Sequence, residues 1–178
     1  MMKRLLLAAI AVAALPAVAS AQSIPFTPSQ TINLQGNNPL VCNLSVGTPA
    51  AVDVGIAARG TTQDIASVGV TCNNASGFTT SYASTNASVL SNGGSGAANN
   101  LAYQAQVTSA DANFGFALKS LTANAADTAD SYPTTAFSGV SGTFSIVTAN
   151  ALDGSGNPQL LNTGTFTDTV NVTLAANP

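Results

Sequence analysis

The segment FTDTVNVTLAANP, residues 166–178, has the clearest alternation of apolar and polar residues near the end of the sequence. Val170, Val172 and Leu174 alternate with Asn171 and Thr173, so one face of the stretch is apolar and the other is polar. This alternation is typical of a half-buried β-strand. Because a strand needs neighbours to satisfy its backbone N–H and C=O groups, the fold depends on which strand lies beside this one.

The two cysteines of the chain lie on two further alternating segments, 40–46 and 66–72. In both segments the cysteine has the parity of the apolar residues, so both sulfurs point to the apolar side of a strand. The face of the first segment consists of Leu40, Cys42, Leu44 and Val46. The pattern predicts a Cys42–Cys72 disulfide between neighbouring strands, worth about 3–4 kcal/mol on the chain-entropy model.

The remaining sequence favours an all-β domain, because β-branched residues and small turn formers are abundant and no long amphipathic helical pattern follows residue 21. Short alternating segments are separated by Gly, Asn, Asp and Pro, a spacing that fits a β-sandwich. The predicted strands are 40–47, 51–57, 65–73, 77–84, 101–108, 114–121, 142–149 and 165–174. Residues 127–133 are predicted to form a loop.

The first 21 residues have the organisation of a secretory signal peptide: a basic start at Lys3 and Arg4, an apolar run, and a small-x-small site ending at Ala21. We therefore expect three regions, a signal peptide at 1–21, an N-terminal extension at 22–37 and one domain at 38–178. Loss of the two cations takes the net charge from −3 to −5. We expect neither nucleic-acid binding nor membrane insertion of the exported chain.

The residue inventory argues against an enzyme. The chain has no His, and all seven acidic residues are Asp. A serine nucleophile therefore has no imidazole base to activate it. The segment DGSGNP, residues 153–158, resembles the start of a calcium loop, but Gly164 at the twelfth position has no carboxylate to offer. We expect a turn there, with no metal and no cofactor.

Four segments in this order resemble the spore coat protein U domain family, whose members include subunits of archaic chaperone–usher pili. They are VCNLSVG at 41–47, SVGVTCNN at 67–74, NNLAYQAQVTSADANF at 99–114 and GTFTDTVNVTL at 164–174. The resemblance implies an incomplete immunoglobulin-like, pilin-type β-sandwich that lacks its final strand. It also implies that the missing neighbour of 165–174 comes from another chain.

The resemblance assigns roles to two sets of apolar residues. The candidate donor strand lies in the N-terminal extension, at Ile24, Phe26, Ile32 and Leu34. The acceptor groove, where a chaperone first binds, is expected at Phe166, Val170, Val172 and Leu174. Because Pro25 and Pro28 lack a backbone donor, the pairing part of the extension is expected within 29–35.

The function implied is that of a structural subunit of a secreted surface fibre, assembled by donor-strand exchange and used in adhesion or biofilm formation. The expected partners are a periplasmic chaperone, an outer-membrane usher and other pilin-like subunits. The expected route leads through the inner membrane and the periplasm to the cell surface or the fibre.

Two alternatives remain open. The first is a monomeric secreted coat or matrix protein of the same fold. The second is a carbohydrate-binding sandwich, which is weakened by the absence of Trp and by a set of only three tyrosines. Tyr82 and Tyr103 are expected in the core or on a strand face, which leaves Tyr132 or a polar loop to bind a glycan.

Overall fold

The computed structural model describes residues 35–124, 127–150, 152–153 and 155–178. Residues Asn38–Pro178 form one compact unit. Its described residues form nine strands and two short 3₁₀ turns, at Ile56–Ala58 and Ala97–Asn99. The strands are β1 (Cys42–Val46), β2 (Thr62–Cys72), β3 (Phe78–Ser84), β4 (Val89–Ser91), β5 (Asn100–Ser109), β6 (Phe116–Lys119), β7 (Asp127–Tyr132), β8 (Ala136–Thr148) and β9 (Val170–Ala176).

The strands form two sheets, so the expected all-β sandwich is confirmed. The larger sheet has the order β1-β2-β8-β5-β4, with β6 also pairing with β5, and the smaller has the order β7-β3-β9. All ladders between the named strands are antiparallel. We call the end where residues 73–77 connect β2 to β3 the lower end, and the end where residues 85–88 follow β3 the upper end.

Aromatic rings fill the space between the two sheets. Tyr82 of β3 stacks on Phe144 of β8 with ring centroids 6.0 Å apart, and Phe78 meets Phe114 edge-on at 6.2 Å. These rings are buried because the alternation in β3 places every second residue on the inner face. Tyr82 and Tyr103 are therefore core residues, as their strand positions predict.

The predicted disulfide is confirmed, and it joins two directly opposed residues of β1 and β2. Their Cα atoms are 4.1 Å apart. Such a short separation is typical of a non-hydrogen-bonded pair in an antiparallel ladder, where side chains come closest. The bond fastens β1, which is an edge strand, to the body of the larger sheet.

Two of the local predictions are wrong. Segment 51–57 forms no strand, because the side chain of Gln63 takes the place of a backbone partner. Asp53 N donates to Gln63 Oε1, and Gln63 Nε2 donates to Asp53 O.

Residues 127–132, predicted as a loop, form the edge strand β7 on β3. Backbone pairing at a sheet edge does not require the apolar alternation on which the prediction relied.

Candidate functional site

The last strand, β9, has one neighbour in this chain and one open edge. It pairs with β3 through the register Phe78↔Ala176 to Ser84↔Val170. Thr85 N donates to Thr169 O, and Asn177 N donates to Gly77 O. Odd-numbered residues of β9 therefore direct their backbone groups toward β3, whereas even-numbered residues direct theirs to the opposite edge. Within the described part of the chain no ladder covers that edge.

The first strand, β1, ends the larger sheet in the same way. Asn73 N donates to Val41 O and Gly47 N donates to Ser67 O, so the odd-numbered residues of β1 bond to β2. The N–H and C=O groups of Cys42, Leu44 and Val46 consequently face away from β2. The described residues supply no strand to this edge either.

These two open edges flank a groove at the side of the sandwich, which we call the β1–β9 groove. At its upper end it contains a cavity of about 170 Å³. An apolar cavity of roughly 150 Å³ holds a benzene-sized group, so this one accommodates a single large side chain. The cavity is lined by Val46, Pro49, Ile65, Ala66, Val68, Phe144, Asp168, Val170 and Val172.

The walls of the groove leave apolar side chains incompletely covered. Val46 of β1, which shares the inward parity of Cys42, lines the cavity and is 50% exposed. The even-numbered residues of β9 are half-buried, whereas its odd-numbered residues are exposed. Both strands thus present to the same opening apolar side chains and backbone groups that no described strand pairs with, which is the arrangement that an added β-strand satisfies.

A hydrogen-bonded cluster around Asp168 fixes the start of β9 at the upper end of the groove. Oδ2 of Asp168 accepts from Ser84 Oγ and from Tyr103 OH, each at 2.6 Å. Oδ1 accepts from Asn86 N at 3.1 Å. Burial, together with the hydrogen bond to the carboxylate, raises the pKa of Tyr103 well above its usual range. The cluster ties β9 to β3 in one sheet and to β5 in the other.

The two chain ends of the unit are fixed at the lower end. The side chain of Asn73 accepts from Val41 N and donates to Pro39 O, both at 2.7 Å. Asn177 accepts from Thr79 Oγ1 through its side-chain oxygen and donates to Ser76 O through its side-chain nitrogen. The chain that precedes β1 therefore leaves the unit at the end opposite to the cavity.

The structure brings together only part of the predicted site. Val170 and Val172 line the cavity, whereas Phe166 and Leu174 are half-buried against the core and lie outside its lining. Val46 belongs to the apolar face of β1 that the alternation identified. Pro49, Ile65 and Asp168 were missed, since sequence spacing does not show that they meet β9.

The predicted donor residues Ile24, Phe26, Ile32 and Leu34 lie outside the described residues, as does the predicted signal peptide. Residues 35–41, where the description begins, are exposed and form no strand. Within the described ranges, no helix is long and apolar enough to cross a membrane.

The segment considered for calcium forms a turn closed by its own aspartate. Asp153 Oδ1 accepts from Ser155 N at 2.8 Å and from Asn157 N at 2.9 Å. The hydrogen bonds from Asn157 and Ser155 hold the pKa of Asp153 below its usual value. Elsewhere in the described chain, no three His, Cys, Asp or Glu residues are grouped as a metal site requires.

Comparisons with family models, with curated proteins and with solved structures find no match to this chain.

Proposed function

We propose that this chain is a structural subunit of a secreted surface fibre of the chaperone–usher type. In this proposal the β1–β9 groove receives a strand from another subunit by donor-strand exchange, and the fibre serves adhesion or biofilm formation. One observation carries the proposal: two sheet edges, whose outer backbone groups pair with no strand of the described residues, flank the same cavity with half-exposed apolar side chains. An uncovered opening of this kind promotes aggregation unless another strand covers it.

The N-terminal extension is the proposed donor. Burial of Ile24, Phe26, Ile32 and Leu34 in a groove of a second copy is worth about 6–12 kcal/mol before ordering costs are subtracted. Backbone pairing with the even-numbered residues of β9 would fix the register. The extension leaves its own subunit at the lower end, whereas the cavity that receives it lies at the upper end of the next subunit. Successive subunits are therefore expected to stack head to tail.

The groove must widen where β1 and β9 are closest. Some Cα atoms of the two strands approach within 8 Å. A strand that pairs with both edges needs two strand spacings, or ~9.6 Å. The donor is therefore expected to begin beside Val170 and Val172, where the cavity already exists, and to move β1 and β9 apart as it continues. A periplasmic chaperone would hold the groove open before assembly, and an outer-membrane usher would deliver the subunits.

The runner-up is a monomeric secreted coat or matrix protein of the same fold. In that case the N-terminal extension folds back and fills the groove of its own chain. The segment GNNP at 36–39 has the composition of a turn, which is the feature that favours this alternative.

The assembly state of the chain without its first 21 residues separates the two. The oxidised protein is refolded from denaturant at rising concentration and run on gels without boiling. The fibre proposal predicts concentration-dependent ladders for the wild type and for Asn171→Asp, which changes the exposed face of β9. It predicts only monomer for Val172→Asp, which places a charge in the groove. A stable wild-type monomer at every concentration would favour the coat protein.

A further inference from the structure

A second cleft lies at the lower end of the sandwich, at the start of β8. It has a volume of about 380 Å³. This volume falls within the range of roughly 300–1,000 Å³ that small-ligand sites occupy. Its polar and aromatic lining comprises Asp111, Tyr132, Thr135, Phe137 and Ser138.

A bulge in β8 turns an aromatic ring outward beside this cleft. Between the pairs Val70↔Val140 and Cys72↔Ala136, residues 137–139 of β8 lie opposite the single residue Thr71. Gly139 adopts φ +78°, which a residue with a side chain rarely does. Phe137 is consequently 70% exposed, whereas all other aromatic side chains in the described ranges are buried or half-buried. Bulges of this kind often re-aim side chains next to functional sites.

A carboxylate is held in a fixed orientation in the same cleft. Asp111 Oδ2 accepts from Tyr132 OH at 2.8 Å, and Oδ1 accepts from Asn113 N at 2.9 Å. The hydrogen bonds from Asn113 and Tyr132 also hold the pKa of Asp111 below its usual value. Because a carboxylate has about four acceptor positions, roughly two remain for a ligand.

We infer that this cleft binds one ring of a neutral saccharide. The weakly positive C–H face of a pyranose packs on the negative face of the Phe137 ring. Two neighbouring sugar hydroxyls donate to the Asp111 carboxylate, and the hydroxyls of Thr135 and Ser138 complete the polar edge. The site differs from the one expected from the sequence, because Tyr132 is buried and orients Asp111, and Phe137 supplies the platform.

The site is independent of the β1–β9 groove, since the cleft lies at the lower end and the cavity of the groove at the upper end. Through this site the chain would bind a saccharide receptor, whether it acts in a fibre or as a monomer.

The test uses the full chain and the methyl glycosides of glucose, galactose and mannose at millimolar concentration. Methyl glycosides are chosen because they carry no aromatic group that could bind Phe137 by itself. Saturation transfer in NMR reports binding, and titration gives the affinity. At least one glycoside is expected to bind, with affinity reduced by about tenfold or more in Phe137→Ser and in Asp111→Asn.

Two further variants make the result specific. Phe137→Trp keeps an aromatic face and should retain binding, and Leu160→Ser removes a side chain that is 73% exposed elsewhere and should leave the affinity unchanged. The inference is overturned if none of the three glycosides shows saturation transfer. It is equally overturned if a correctly folded Phe137→Ser variant binds as tightly as the wild type.

Discussion

Removal of one hydroxyl group from the Asp168 cluster should destabilise the domain measurably. Tyr103 is 4% exposed and donates to Asp168 Oδ2 at 2.6 Å. A hydrogen bond to a charged group contributes about 1.5–3 kcal/mol. In Tyr103→Phe the ring keeps its packing, and Ser84 Oγ still donates to the same oxygen. We therefore expect the free energy of unfolding to fall by about 1.5–3 kcal/mol, measured by urea denaturation at neutral pH.

The pH dependence of that loss gives a second readout. An unfolded tyrosine ionises near pH 10, and burial together with the bond to Asp168 raises the pKa of Tyr103 in the folded state. Above pH 10 the unfolded chain loses a proton that the folded chain retains, so the stability contributed by Tyr103 falls as pH rises. The difference between wild type and Tyr103→Phe should therefore be full below pH 10 and shrink above it.

The matched control is Tyr132→Phe, which removes a hydroxyl group bonded to Asp111 from a ring that is 9% exposed, against 4% for Tyr103. Its effect at neutral pH should be smaller than that of Tyr103→Phe. A loss below about 0.5 kcal/mol in Tyr103→Phe would mean that the hydrogen bond to Asp168 does not stabilise the domain, since substitutions at the protein surface have effects of that size. A difference that stays constant from pH 8 to pH 12 would refute the linkage to Tyr103.

Three other changes should alter stability in known directions. Gly77→Ala should cost more than about 3 kcal/mol by urea denaturation, because Gly77 has φ +79° and the added methyl group would collide with the Tyr132 carbonyl. Ala87→Gly should raise the midpoint of thermal unfolding, since Ala87 at φ 54° carries strain of about 1 kcal/mol that glycine relieves. Reduction of the Cys42–Cys72 bond, with a sequence separation of 30, should lower stability by about 3–4 kcal/mol and shift the denaturation midpoint.

Each of these changes has a control in the same chain. Gly36→Ala meets no atom within 4 Å and should be neutral, so an equal loss at Gly36 and Gly77 would contradict the steric argument. Ala102→Gly, on the exposed face of β5, should destabilise, opposite in sign to the change at Ala87. The Cys42→Ala/Cys72→Ala double variant should show no further loss when reductant is added.

Much of the fold follows from alternation in the sequence, and the exceptions have physical causes. The parity of Cys42 and Cys72 correctly predicts the disulfide, because both cysteines lie on the apolar faces of adjacent strands. The alternation at 51–57 misleads, because the side chain of Gln63 replaces a backbone partner there. No local sequence pattern predicts that a side chain takes the place of a backbone partner, since this depends on contacts between distant segments.

The candidate site was less accessible to sequence reasoning than the fold. The inward faces of β1 and β9 identify Val46, Val170 and Val172, but the polar residue at the upper end of the groove, Asp168, is defined by partners 65 and 84 residues away. The sequence did not predict an exposed Phe137 for a similar reason. Its exposure comes from a bulge opposite Thr71, which only the pairing of β2 with β8 reveals.

Thermal unfolding of a shortened chain shows whether the β1–β9 groove is open to a strand from another chain. The oxidised chain beginning at Asn38, the start of the compact unit, is compared with and without a peptide of residues 22–36. If the groove is open, the peptide causes a large, slowly developing rise in the unfolding midpoint, which is lost when Ile32 and Leu34 of the peptide become Asp. If the shortened chain is already stable and monomeric, and its midpoint does not change with the peptide, the groove is closed and the fibre proposal is wrong.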